Sequence, residues 1–215
     1  MFRLIFLSAG LIGLFLSFNS CSDNHEHGAP DFYGRPDVAE NGDTSIHVIR
    51  PFSFTDQEGR TVTNQTVAGK LYVADFFFTS CPTICPKVKQ QMLRIEQKFG
   101  DRIMLLSHTI DPKRDTPEHL KEYATKVGVK NQDNWRFLTG DKFTLYDIAE
   151  DYMSVAVENA DAPGGFDHSG YILLVDGDGH LRGYASGLDP TEVDHLMEDI
   201  DYLLEHPQEG YLSAR

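Results

Sequence analysis

The stretch Phe76-Phe-Phe-Thr-Ser-Cys81-Pro-Thr-Ile-Cys85-Pro86 decides the fold. It lies at the end of a run of β-favouring residues at positions 71–78, and apolar residues at helical spacing follow it between Val88 and Phe99. This pattern predicts a strand, a short turn and a helix. Cysteines four positions apart at the start of a helix lie on the same face, so both sulfurs can meet one metal ion or form one disulfide.

The two thiols also lie where a thiolate is favoured. Backbone N–H groups and the positive end of the helix dipole stabilise the anion that attacks or ligates. Pro86 suits the first helical turn, where no N–H donor is needed. The alternative is a structural disulfide or two ordinary buried cysteines. A strand-to-helix turn presents a reactive pair well, so we expect redox or metal chemistry here.

The N-terminus has the pattern of a bacterial export signal. Arg3 precedes an apolar stretch at positions 4–18, and Cys21 follows Asn19 and Ser20. This predicts a signal peptide over residues 1–21 that ends at a lipid-modified Cys21, hence an exported lipoprotein that is membrane-anchored and faces the periplasm or the cell exterior. The alternative is an uncleaved anchor, although the stretch is shorter than the roughly 18 apolar residues of a spanning helix. Acylation of Cys21 leaves the other two thiols only each other, or a metal, as partners.

The rest of the chain is long enough for one domain with a sizeable core. Few apolar residues at positions 22–45 predict a flexible tether, in which His25-Glu-His27 is either a loose metal site or solvated linker. We expect the domain over residues 46–206 and a tail at 207–215. There are 33 acidic and 19 basic residues, and the net charge of −14 argues against nucleic acid as a partner.

Hydrophobic periodicity and turn residues predict the order of the elements. A hairpin over residues 46–63 comes first, two strand-helix units follow, and a β-hairpin and a helix close the chain. The predicted strands cover 71–78, 103–110, 135–139, 154–157, 171–176 and 180–185, and the helices 86–99, 116–127, 141–152 and 190–205. This order predicts an α/β fold with a mixed sheet flanked by helices and an N-terminal β-hairpin extension.

A candidate third ligand comes from the topology. In a sheet of this order, the loop Phe166-Asp-His168-Ser-Gly170 approaches the strand-to-helix turn. Two thiolates and the imidazole of His168 suit Cu(I), and the same set can hold Cu(II). Zinc would require a fourth ligand. The alternative is that His168 is an ordinary surface residue of a loop.

Other polar residues near this end of the sheet have two interpretations each. Asp75, in an otherwise apolar strand, is either a buried acid with a raised pKa that can accept a thiol proton or an edge residue that meets water. His108 is either an auxiliary ligand or a polar residue at a strand end. The basic residues either orient a docking partner or are ordinary solvated charges: Lys87, Lys89, Lys113 and Arg114.

Four ordered motifs resemble the Sco/SenC family. They are Phe78-Thr-Ser-Cys81-Pro-Thr-Ile-Cys85-Pro86, Asp111-Pro-Lys-Arg-Asp-Thr-Pro117, Trp135-Arg-Phe-Leu-Thr-Gly140, and His168-Ser169 ahead of Tyr171-Ile-Leu-Leu-Val-Asp176. The proteins of that family are membrane-tethered, thioredoxin-like copper chaperones that assemble the binuclear copper centre of cytochrome c oxidase. The resemblance spans residues 46–204 and implies a thioredoxin-like fold. It also implies that Cys81, Cys85 and His168 hold one copper ion per chain, with Asp111 as a nearby acid that does not ligate.

The resemblance implies a metallochaperone that delivers copper to the copper-site subunit of cytochrome c oxidase. A thiol reductant would be a second partner, and the lipid anchor would hold the protein on the membrane. The rival hypothesis is a thiol–disulfide oxidoreductase that keeps the cysteines of another exported protein reduced. A third is a thiol peroxidase in which Cys81 and Cys85 are the attacking and resolving thiols. His168→Ala separates the first two, since only copper binding requires the imidazole.

Overall fold

The structure, a computed structural model, describes residues 28–207. Within these residues the predicted strands and helices occur in the predicted order. The strands are β1 (Asp37–Val38), β2 (Thr44–Ser45), β3 (Ser53–Asp56), β4 (Thr61–Thr63), β5 (Tyr72–Phe77), β6 (Met104–Thr109), β7 (Trp135–Thr139), β8 (Ala156–Glu158), β9 (Phe166–His168), β10 (Tyr171–Val175) and β11 (Leu181–Ser186). The helices are α1 (Asn64–Val67), α2 (Cys85–Phe99), α3 (Pro117–Val127), α4 (Lys142–Asp151) and α5 (Pro190–Glu205). Four short elements that were not predicted, β1, β2, α1 and β9, occur in addition.

Seven strands form the central sheet in the order β11-β10-β5-β6-β7-β3-β4. The three middle strands β5, β6 and β7 run parallel, and the outer strands pair antiparallel on both sides. The N-terminal hairpin, β3 and β4, extends the sheet beyond β7. The predicted α/β fold with a mixed sheet is therefore confirmed.

The core lies around the two central strands, in which every residue is buried. A strand that is buried along its whole length has both faces covered, as in parallel sheets flanked by helices. Helices α2 and α5 pack against each other and against β10. Helix α3 begins at the predicted signal, since the Thr116 side chain accepts a hydrogen bond from the His119 N–H and Pro117 occupies the first turn.

A second small sheet carries the candidate histidine. Strand β8 corresponds to the strand predicted at 154–157, whereas β9 falls in a segment predicted as loop. The two strands pair antiparallel, with Ala156 opposite His168 and Val157 opposite Asp167. His168 therefore lies on a paired backbone, which restricts where its side chain can point.

Part of the predicted tether packs against the domain. The Tyr33 N–H donates to the Leu181 carbonyl at 2.9 Å. The Arg182 guanidinium donates to the Pro30 carbonyl at 2.8 Å and lies 4.1 Å from the centre of the Phe32 ring. Strand β11 is an edge strand, and this segment covers backbone groups that would otherwise be open. The structure therefore shortens the tether predicted at residues 22–45, because the chain contacts the sheet from Pro30 onward.

Other predictions for the termini fall outside the described residues. These are the signal peptide with its lipid-modified Cys21, the His25-Glu-His27 run and most of the predicted tail. From Gly28 to Pro207, no helix is both long and apolar enough to cross a membrane.

Candidate metal centre

The two cysteines lie at the junction predicted from the sequence. Strand β5 ends at Phe77, the chain turns through seven residues, and α2 begins at Cys85 with Pro86 in its first turn. The Cys81 N–H donates to the Phe78 carbonyl at 3.1 Å, which closes the turn. Both side chains are buried, and the two thiols are free rather than joined in a disulfide.

His168 completes a three-residue cluster with the cysteines. Its Nε2 lies 3.5 Å from the sulfur of Cys81 and 3.5 Å from that of Cys85. The three potential ligand atoms all lie within 4.8 Å of one another. The ring is oriented by its other nitrogen, since Nδ1 lies 3.3 Å from the Ser169 carbonyl. With the proton assigned to Nδ1, which donates to that carbonyl, the Nε2 lone pair faces the sulfurs.

The cluster has the dimensions of a metal site. Bonds of about 2.3 Å to sulfur and about 2.0 Å to nitrogen, separated by a near-tetrahedral angle, place the two ligand atoms about 3.5 Å apart. This is the distance found between Nε2 and each sulfur. Among residues 28–207, no fourth histidine, cysteine or carboxylate joins the group. Two soft thiolates with one imidazole suit copper better than a structural zinc site, which is closed by four ligands.

The two thiols are electrostatically coupled, which moves their pKa values apart. A hydrogen bond from the Cys85 thiol lowers the pKa of Cys81 well below its usual range, and the contact with His168 acts in the same direction. Donation to Cys81 and burial raise the pKa of Cys85. The coupling therefore favours a thiolate at Cys81, the less buried of the two cysteines. Metal binding by both sulfurs requires both of them to be deprotonated.

Aromatic rings and hydrogen bonds hold the histidine in place. The Phe78 ring meets His168 edge-on at 5.4 Å and packs against Phe166 at 4.9 Å. The Ser169 hydroxyl lies 2.6 Å from the Ser154 hydroxyl, and the Ser169 N–H donates to the Val155 carbonyl. The imidazole is therefore positioned by its neighbours before any metal binds.

The acid that supports the cysteine turn is Asp115, which belongs to the same motif as Asp111. The buried Asp115 carboxylate accepts hydrogen bonds from the Thr79 N–H at 3.1 Å, the Thr79 hydroxyl at 2.5 Å and the Thr109 hydroxyl at 2.5 Å. Asp111 instead forms an ion pair of 3.5 Å with Arg114 and is not part of the cysteine–histidine group. The sequence signal for Asp115 was weak, since either acid of the Asp111-Pro-Lys-Arg-Asp115 motif can face inward.

Two earlier interpretations of charged residues are wrong. Asp75 is not at a water-exposed edge, because β5 is central and the residue is buried. Lys89 is not a solvated charge, because its ammonium is buried against both Asp75 oxygens at 2.7 and 2.9 Å. Lys89 lies on the buried face of α2, between Val88 and Met92. A lysine at helical spacing among apolar residues needs a buried partner, and the acid in the apolar strand β5 was a candidate, so the sequence could have indicated this pair.

His108 is not placed as an auxiliary ligand. It is fully buried among Phe52, Phe54, Phe76 and Tyr152, and it is outside the cysteine–histidine group. Neither ring nitrogen makes a well-oriented hydrogen bond among the described residues, and the backbone of Asp75 only partly opposes the effect of burial on the pKa of the ring. Burial lowers its pKa to about 3, so the ring is neutral. His108 does lie next to the end of β6, as the other interpretation has it, but its side chain is buried among aromatic rings and not in polar surroundings.

Comparisons with known proteins agree with the site. The SCO1/SenC family model matches residues 40–205. The structure resembles that of a SCO1/SenC family lipoprotein from Bacillus anthracis, with a TM-score of 0.65, 27% identity and coverage of 73% of this chain and 94% of that one. It resembles equally BsSco, a Sco-family cytochrome c oxidase assembly protein with a disulfide switch, at a TM-score of 0.65, 27% identity and coverage of 74% and 94%. Copper-bound ScoI of Bradyrhizobium japonicum is similar with a TM-score of 0.58, 28% identity and coverage of 73% and 99%.

Proposed function

This chain belongs to the SCO1/SenC family, and on that basis we propose that it binds one copper ion through Cys81, Cys85 and His168 and delivers it to the copper-site subunit of cytochrome c oxidase. The observation that carries the ligand assignment is the equal distance of 3.5 Å from His168 Nε2 to both sulfurs. The copper-bound structure of a family member and the oxidase-assembly role of BsSco support the cargo and the destination.

The arrangement of the ligands suits release as well as binding. A set of three ligands leaves the metal open to an incoming donor, so transfer can proceed by stepwise exchange of ligands. Cys81 and Cys85 are fixed by the sheet and by α2, whereas His168 comes from the separate β8–β9 hairpin. Cys81 is 8% exposed as a residue and Cys85 is 2% exposed, so a partner reaches Cys81 first. We infer that Cys85 is the last protein ligand to leave.

The cysteine pair makes copper binding depend on the redox state. A disulfide between Cys81 and Cys85 removes both thiolate ligands, so the oxidised protein cannot load copper through them. The disulfide switch of BsSco supports this coupling. We propose that an external thiol reductant is the second partner. The same pair would serve in a thiol–disulfide oxidoreductase, but the equal distance of 3.5 Å from His168 Nε2 to both sulfurs favours metal binding, which uses both contacts at once.

We propose that Cys21 carries a lipid that holds the domain at the outer face of the bacterial membrane. The lipoprotein of Bacillus anthracis supports this assignment. Among the described residues, the earliest hydrogen bond to the sheet is the one that the Pro30 carbonyl accepts from Arg182 of β11. Even a fully extended link of nine residues from Cys21 spans only about 30 Å, which keeps the copper site close to membrane partners.

Copper titration of the reduced protein tests the proposal. We expect one tightly bound copper per chain, and we expect both His168→Ala and Cys85→Ser to lose it. The matched control is His119→Ala, which removes an exposed imidazole from α3 and should bind copper like the native protein. Circular dichroism shows whether each variant is folded. Native protein that binds copper no better than folded His168→Ala contradicts the proposal.

A further inference from the structure

A cavity beside Cys81 has no role in the proposed copper site. It has a volume of about 310 Å³ and lies between α2 and α3, next to the turn that carries the cysteines. This volume is at the small end of the range of about 300–1,000 Å³ found for ligand pockets. Of the cysteine–histidine cluster, Cys81 lines the cavity, whereas Cys85 and His168 do not. A molecule in this cavity therefore meets one sulfur of the pair without contacting the other two ligands.

The walls of the cavity are mainly apolar. Leu93 of α2 and Val127 of α3 line it from the two helices, together with Pro86 and Tyr123. The Tyr123 ring is held in place by stacking on Phe77, with ring centres 5.4 Å apart. Walls of this kind suit the methylene groups of a small organic ligand, because the ligand and the walls then leave water together.

Two polar groups at the cavity lack a partner in the protein. Lys126 is exposed and makes no ion pair or hydrogen bond within residues 28–207, and the Tyr123 hydroxyl has no hydrogen bond there either. The other lysine of the cavity, Lys89, is already neutralised by Asp75 at 2.7 and 2.9 Å. Among the described residues, no acid lines the cavity. In a chain with 33 acidic and 19 basic residues, the cavity therefore carries one uncompensated positive charge, which favours an anionic ligand.

The reactive atom at the cavity is the sulfur of Cys81. In the oxidised protein this sulfur belongs to the Cys81–Cys85 disulfide, which must be reduced before both sulfurs can bind copper. A thiolate attacks the disulfide sulfur that it can reach, and it approaches from the side away from the leaving sulfur. The cavity gives access to Cys81 without passing Cys85 or His168. A thiol in the cavity is therefore placed to attack Cys81 and to release Cys85.

We propose that this cavity binds a small thiol that carries a carboxylate, and that the bound thiol reduces the disulfide at Cys81. The carboxylate pairs with Lys126 and accepts a hydrogen bond from the Tyr123 hydroxyl. The methylene groups of the ligand contact the apolar walls. The inference rests on the proposed function, since it gives the chemistry and the entry site of the external thiol reductant.

The reaction takes two electrons from two ligand thiols. The first ligand thiolate forms a bond to the Cys81 sulfur as the bond to Cys85 breaks, and Cys85 leaves as a thiolate that takes up a proton from water. A second ligand thiolate then attacks the sulfur of the bound ligand. Cys81 leaves as a thiolate, and the two ligand molecules become one disulfide.

The test compares two thiols of similar size as reductants of the oxidised, metal-free full chain. Mercaptopropionate carries a carboxylate and mercaptoethanol a neutral hydroxyl. The ratio of their rates cancels any change in the reactivity of the protein disulfide, so it isolates recognition of the carboxylate. We expect Lys126→Met to lower this ratio about three- to fivefold, as for one partly exposed charge pair. Lys87→Met is the matched control, because it removes an exposed lysine that does not line the cavity, and it should change the ratio by less than about 1.5-fold.

Mass spectrometry at early times locates the attack. Free thiols are trapped with an alkylating reagent, and the peptide that carries both cysteines is sequenced. The expected intermediate carries mercaptopropionate on Cys81 and the alkyl group on Cys85. Mercaptopropionate on Cys85 instead overturns the proposal.

The remaining outcomes are equally clear. A Lys126→Met protein that is folded by circular dichroism and has the native ratio, or an equal fall in Lys87→Met, overturns the proposal. If a thioredoxin-like protein dithiol reduces Lys126→Met more slowly while the ratio of the small thiols stays native, the cavity receives a protein segment and the proposal is again overturned. A native protein that binds no copper contradicts the proposed function but leaves these rates measurable. A failed ratio test in a protein that binds copper overturns only the role of the cavity.

Discussion

Replacing Asp115 by alanine should cost far more than replacing Asp111, although both acids belong to one five-residue motif. Asp115→Ala removes an acceptor of three hydrogen bonds and leaves the Thr79 N–H without its partner. A hydrogen bond to a charged group contributes about 1.5–3 kcal/mol, and the two hydroxyl donors can partly turn to other acceptors. We therefore expect a loss of about 3–5 kcal/mol in the free energy of unfolding, within the range seen for buried hydrogen-bond networks.

The same change should weaken copper binding. Thr79 lies two residues before Cys81, and its N–H and hydroxyl are tied to the carboxylate that the variant lacks. A ligand turn that is free to move by about 1 Å holds a metal less well, so we expect at least a tenfold loss of copper affinity. Thr109→Val should show an intermediate loss of stability without a change of charge, since it removes one of the three hydrogen bonds to Asp115 and also the one that the Thr109 hydroxyl accepts from the Asp111 N–H.

Urea denaturation and copper titration of the same variants measure both effects. The matched control is Asp111→Ala, which removes only a partly exposed ion pair with Arg114 and should cost less than about 1 kcal/mol. The reasoning is refuted if Asp115→Ala and Asp111→Ala lose similar stability, or if Asp115→Ala is strongly destabilised while its copper affinity stays native.

Three further changes test other parts of the structure. His108→Leu should remove the acid sensitivity that the buried ring causes. The pKa of His108 is about 3 in the folded protein, whereas the unfolded chain binds the proton from about pH 6.5 downward. Between pH 7 and pH 5 the native protein should therefore lose about 2 kcal/mol of unfolding free energy relative to the variant, as measured by urea denaturation. An equal pH slope in both proteins contradicts this. Gly164→Ala should lower stability and copper affinity together, because the added Cβ would lie 2.7 Å from the Phe78 ring, which packs on His168. Gly165→Ala is the control, because Gly165 has a similar positive φ but no atom near the position of the added Cβ. Equal losses of the two variants in thermal melts would contradict the steric argument. A chain that begins at Ser45 should melt below one that begins at Gly28, because it lacks the Tyr33 and Phe32 contacts with β11; identical melting temperatures would show that the segment contributes nothing.

Much of the fold follows from neighbours in the chain. The spacing of Cys81 and Cys85, the proline of the first turn and the Thr116-Pro117 start of α3 act over a few residues, and each is found where the sequence predicts it. The alternation of apolar and polar residues, together with runs of apolar residues, likewise predicts the strands of a mixed sheet. These features depend on backbone geometry and short-range hydrogen bonds, so no long-range contact is needed to infer them.

The placement of His168 was inferable from topology and resemblance, but its orientation was not. The ring direction depends on the pairing of β9 with β8, on the Ser169 carbonyl and on the Phe78 edge, and β9 has no strand signal of its own in the sequence. A segment of three residues is too short for a periodic pattern to identify.

The sequence by itself determined the class of protein, the reactive cysteine turn and the candidate ligand set. Only the tertiary structure decided which of Asp111 and Asp115 faces inward, that His108 is enclosed by aromatic rings, and that Lys89 meets Asp75 in the core. The physical reason is that the charge state and the partner of a polar residue depend on which groups surround it after folding. Those groups come from other elements of the fold, as in the ion pair that Asp75 of strand β5 forms with Lys89 of helix α2.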